Sequence, residues 1–67
     1  MTGTDIRTIR QKLGFSQEEF ARLLGYRRIQ TISEFELDKK PLPRPALILL
    51  TLIRLLLQIA ENRNDLA

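Results

Sequence analysis

Apolar residues recur along this chain at spacings of three and four and nowhere alternate with polar ones, so the pattern predicts helices throughout and no strand. Ile6, Ile9 and Leu13 form the first stripe, with Thr4 as the expected N-cap and Gly14 as the left-handed residue that ends the helix. Phe15 then folds back as an apolar anchor. Ser16-Gln17-Glu18-Glu19 has the S-x-x-E form of a capping box, which opens a second helix through Phe20, Ala21, Leu23 and Leu24 to Gly25. After a turn at Tyr26-Arg27-Arg28, Ile29, Ile32 and Phe35 mark the buried side of a third helix near residues 28–37. Prolines 41, 43 and 45 are welcome only outside a helix or in its first turn, so a fourth helix should begin at Arg44 or Pro45 and run to about Glu61. Residues 62–67 are then expected to be a polar tail outside a single domain of residues 1–61.

The fourth helix carries more apolar surface than one small core can cover. At about 100° per residue, Arg44, Thr51, Arg54, Gln58 and Glu61 fall on one narrow stripe. Ala46, Leu49, Leu50, Ile53 and Leu57 are expected to face the domain. Ile48, Leu52, Leu55 and Ile59 form a second apolar side, which predicts a dimerisation helix over residues 44–61. The most apolar stretch, residues 46–60, falls short of the roughly 20 residues that cross a bilayer and is interrupted by Thr51, Arg54 and Gln58, so no membrane partner is expected.

Composition narrows the function. A chain of 67 residues buries only about 60% of its unfolded surface, so stability calls for a disulfide, a metal or a second subunit. There is no cysteine and no histidine, which leaves a second copy of the chain. The same absence removes the commonest nucleophile, general base and zinc ligands, so neither an enzyme nor a metal or cofactor site is expected, and no small-molecule ligand is evident. A net charge of +3 with a pI near 10.0 suits a polyanion partner. No basic segment leading into an apolar one opens the chain, so a cytoplasmic protein is expected.

The run from Ile6 to Gly25, IRTIRQKLGFSQEEFARLLG, resembles the opening of phage-repressor (Cro and XRE-type) helix-turn-helix domains. Gln30-Thr31-Ile32-Ser33-Glu34-Phe35-Glu36 is similar to their recognition helix and Lys40-Pro41-Leu42-Pro43 to the loop after it. The resemblance covers residues 6 to about 50. It implies an all-α, compact four-helix, lambda-repressor-like domain, here with a long apolar C-terminal helix. It also implies a repressor that binds an inverted repeat in double-stranded DNA as a homodimer. The sequence departs from the family in three places. One extra residue stands between Gly25 and Ile32, Asp38 replaces a glycine, and Glu34 stands where arginine or glutamine is common. Asp38 still tolerates the left-handed conformation that its turn needs.

Candidate site residues follow. Arg27, Arg28, Gln30, Thr31 and Glu34 lie on or just before the third helix and away from its apolar stripe, as base-contact candidates. Arginine suits guanine, glutamine suits adenine, threonine meets a thymine methyl and glutamate can accept from cytosine. Lys39, Lys40 and Arg44 are expected on phosphate, and the resemblance adds Gln17. Tyr26 is open between phosphate and core. The resemblance also implies a structural ion pair between Arg10 and Glu36. Phe20, Ala21, Leu24, Ile32 and Phe35 are expected in the core. A different class of function, an antitoxin-like adaptor that offers its fourth helix to another protein, fits the same apolar surface.

Overall fold

The computed structural model describes residues 1–66, with side chains through Arg63. It contains four helices: α1 (Gly3–Lys12), α2 (Gln17–Leu24), α3 (Ile29–Glu36) and α4 (Arg44–Leu66). The core gathers Ile6, Ile9, Phe20, Ala21, Ile32, Phe35 and Leu50, with at least one residue from every helix.

The first three helices end in the same device. After each, a left-handed residue reverses the chain, at Gly14 (φ 75°), Gly25 (φ 83°) and Asp38 (φ 59°). In each case the residue after it sends its backbone N–H back five positions, from Phe15 to Arg10, Tyr26 to Ala21 and Lys39 to Glu34, at 3.2, 2.8 and 2.8 Å. This is the Schellman arrangement, which satisfies the carbonyls orphaned at a helix end. At the first two ends the residue that folds back is aromatic and lands on the core. At the third, Asp38 takes a conformation that costs an L-residue roughly 1 kcal/mol. Its Oδ1 in return accepts the Gly3 N–H at 2.8 Å, which ties the end of α3 to the start of α1.

That junction moves the expected start of α1. The N-cap is Thr2, not Thr4: Thr2 Oγ1 accepts from the Asp5 N–H at 3.2 Å and the Asp5 carboxylate accepts from the Thr2 N–H at 2.8 Å. Thr2 and Asp5 form a capping box of their own, so the helix gains Gly3 and Thr4. Gly3 is buried against the last carbonyls of α3, and an added Cβ would collide with the backbone of Phe35 and Glu36. The negative end of one helix dipole therefore meets the positive end of another.

α4 runs to Leu66 and does not stop near Glu61, because residues 61–66 contain no proline or glycine to break it; Ala67, the last residue of the expected tail, lies outside the described residues. At 23 residues it is roughly 34 Å long. Its segment Arg44–Arg63 is long and apolar enough to cross a membrane by length and composition alone, a test that the core helix of a globular domain also passes. Ala46 and Leu50 of that segment are nonetheless buried, and Ile53 and Leu57 pack against the core. Leu49, expected inside, is 40% exposed. Two ion pairs bracket the packing of α4 on α1, Arg54 to Asp5 at 3.7 Å and Lys12 to Glu61 at 2.7 Å. They lie two turns apart on both helices, so α4 runs alongside α1 in the same direction.

Candidate nucleic-acid interface

α2 and α3 are joined by Gly25 and the short turn Tyr26-Arg27-Arg28. The Ser16 capping box starts α2: Ser16 Oγ accepts from the Glu19 N–H at 3.1 Å, and Glu19 Oε1 accepts from the Ser16 N–H at 3.0 Å. That second bond holds the Glu19 carboxyl below its ordinary value of 4.5. The Asp5 carboxyl is lowered from 3.8 in the same way by the Thr2 N–H. α3 starts differently. Arg28 occupies the N-cap position in an extended conformation, without a side-chain hydrogen bond to the helix, and its side chain is exposed.

The turn is held from inside the domain. The Tyr26 ring meets Phe35 edge-on, with centroids 5.6 Å apart, and packs against the core. Between its open readings the structure thus gives the ring a packing role. Ile32 and Phe35 bury the inner side of α3. Ile29 corrects the expected stripe: it is 46% exposed. As the first helical residue it precedes Ile32 by three positions, which turns it about 60° from Ile32 and away from Phe35.

Glu36 is the electrostatic centre of the scaffold. Its side chain is 5% exposed, and Arg10 grips it through Nε at 2.7 Å and Nη2 at 3.2 Å. Arg10 Nη1 also donates to the Phe15 carbonyl at 3.0 Å, so one guanidinium ties α1, the loop before α2 and the end of α3. Arg7 stands at 4.0 Å on the solvent side. Gln17, expected on phosphate, donates from Nε2 to Glu36 at 3.2 Å. One of its two amide N–H bonds is spent there, and the other is the donor that remains for a phosphate. The sequence offers one weak signal for the added partners: Arg7 precedes Arg10 by one helical turn.

The remaining candidates lie on α3, in the turn before it and in or just after the loop that leads into α4. Arg27, Arg28 and Gln30 are exposed, while Thr31 and Glu34 are half-buried on α3. Ser33 and Leu37, which the sequence did not single out, are half-buried and exposed on the same helix end. Lys39, Lys40 and Arg44 are exposed in and just after the loop. Lys40 Nζ lies 3.1 Å from Glu34 Oε2, so a phosphate candidate and a base candidate neutralise each other in the free protein. The surface is thus a helix with an uncapped, arginine-bearing start, a polar outer side and a basic loop at its far end. Such a helix can enter a groove with its first turn at the base edges while lysines meet the backbone.

The sequence profile of the helix-turn-helix family matches residues 6–59. The chain belongs to the helix-turn-helix family. The helix-turn-helix assignment is of the XRE type and makes this a DNA-binding transcription regulator, of a family that is generally not enzymatic. No curated protein and no solved structure matches the chain.

Proposed function

We propose that this protein is a homodimeric repressor of the cytoplasm that binds an inverted repeat and blocks a promoter. The observation that carries the dimer is the outer stripe of α4, where Ile48, Leu52, Leu55 and Ile59 are 48–55% exposed. They recur at spacings of four, three and four, the seam by which one helix packs against another, with no charge among them. A symmetric pair of α4 helices covers the stripe on both subunits and places two copies of α3 on one side of the assembly. Each α3 then reads one half-site, the two lying about 34 Å apart on one face of the duplex. Arg27, Arg28, Gln30, Thr31 and Glu34 face the bases. Gln17, Lys39, Lys40 and Arg44 hold phosphate, and Tyr26 braces the turn. The α4 helix serves this assembly and not a bilayer, because Leu50 is fully buried in the core shared with the other three helices and Ile53 and Leu57 pack against it.

The deciding experiment is selection of bound duplexes from a random pool at fixed salt. A palindromic consensus is the expected result. A consensus without two-fold symmetry overturns the homodimer on DNA. No enrichment, from a protein that is monomeric by light scattering, points instead to an adaptor that offers α4 to another protein.

A further inference from the structure

Within α3 the exposed surface is polar except at Ile29, and just past its end stands the exposed Leu37. Ile29, its first residue, is 46% exposed and stands between the exposed side chains of Arg28 and Gln30. It lies outside the core cluster, to which α3 contributes Ile32 and Phe35. Water solvates this position poorly, and the loss is recovered only where something apolar covers it. In the major groove, one base-pair feature is apolar: the 5-methyl group of thymine. The first turn of a recognition helix is also the part that reaches base edges.

Resting on the reading of α3 as the recognition helix, we infer that Ile29 is a specificity-determining residue that packs on a thymine 5-methyl group. Arg28 and Gln30 flank it with donors for the neighbouring edges. The half-site therefore contains a thymine set by an apolar contact, at a base adjoining those that Arg28 and Gln30 address. Discrimination at that base comes from a methyl group and not from a hydrogen bond. It differs from the thymine contact expected of Thr31, which lies on the opposite flank of the helix from Ile29 by about 160°.

The test uses the consensus duplex from the selection above and replaces thymines one at a time by uracil, which removes only the methyl. Wild-type protein should lose affinity at one position of each half-site, by about fourfold for one methyl-sized apolar group uncovered. Ile29→Ala should bind the thymine and uracil duplexes alike at that position while keeping its uracil sensitivity, if any, elsewhere. Because Ile29 is on the surface, the melting temperature of Ile29→Ala checks that the fold is kept, and Ile29→Val supplies a milder step in the same direction. The inference is overturned if wild type tolerates every thymine-to-uracil change, if the half-site has no thymine, or if the loss persists in Ile29→Ala at the same base. Failure of the underlying reading looks different: the pool then yields no consensus at all.

Discussion

Helices α3 and α4 each bury a narrow inner stripe and leave the rest outside, yet their outer surfaces share almost no chemistry. α3 is eight residues long, and its outer side carries Gln30, Thr31, Ser33 and Glu34 beside the half-exposed Ile29, bracketed by Arg28 and Lys40. α4 is nearly three times as long and exposes Ile48, Leu52, Leu55, Leu56 and Ile59. A polar outer side loses little in water and gains directional partners when it meets a groove. An apolar one gains simply by being covered. Exposure alone therefore does not separate the two surfaces; what is exposed does. The inner stripes differ as well. α3 is locked by a buried charge at Glu36, whereas α4 is held by apolar packing with two exposed ion pairs that contribute little each.

The strongest way to break this comparison is to swap the damage between the two sides of α4. Leu50→Ala, at a fully buried position, should cost about 2–5 kcal/mol of stability through a cavity in the shared core. Leu52→Asp or Leu55→Asp should instead leave the monomer folded and abolish the proposed dimer, because each places a charge on the apolar stripe that the dimer would cover. Light scattering and thermal melting read the two effects separately. A Leu52→Asp variant that stays dimeric would move the interface elsewhere.

For α3 the inner side is tested by Arg10→Ala. It should cost about 2–4 kcal/mol, at the low end for a broken buried pair because Gln17 and Arg7 remain near Glu36. The preferred DNA sequence should not change. A shifted consensus with an unchanged melting temperature would show that Arg10 acts on DNA.

The outer side of α3 is expected to divide its labour. Arg28→Ala or Gln30→Ala should cost about 1–3 kcal/mol on the selected site with less effect on random DNA. Lys40→Ala should weaken both alike and lower the salt slope by about one. That requires Lys40 to leave Glu34 for a phosphate, so Glu34→Ala should tighten binding to random DNA. If Arg28→Ala and Gln30→Ala behave like Lys40→Ala, the extra residue in the turn has carried those side chains off the bases.

The smallest expected effect comes from the caps. Asp5 and Glu19 have folded-state values below the ordinary 3.8 and 4.5, because backbone N–H groups donate to their charged forms. A lowered carboxyl contributes stability that is present above its unfolded value and is lost as pH falls through the folded one. Melting temperature should therefore start to decline below about pH 4.5, in part through these two groups. Asp5→Asn combined with Glu19→Gln removes the two titrating carboxylates while an amide oxygen remains to accept the same backbone N–H groups. A variant whose acid decline is as steep as that of wild type would remove the caps from the account.

The sequence by itself determined four helices, their order and the way each of the first three ends. Caps and Schellman turns involve residues within five positions of one another, so Ser16 with Glu19, Gly14, Gly25 and Asp38 carry their consequences locally. The apolar excess of α4 was equally legible, since periodicity alone shows a stripe too wide for one small core. Tertiary structure decided which side of a stripe is covered and how deeply. Ile29 and Leu49 stand at core spacing but keep close to half of their surface exposed, because a helical wheel gives an angle and not the reach of the neighbouring helix. Gly3 reads as part of an ordinary chain start until α3 brings its last carbonyls against it, a contact that spans more than thirty residues of sequence. Gln17 and Arg7 join Glu36 for the same reason: a buried carboxylate draws in whatever donors the fold sets around it, and no local pattern names them.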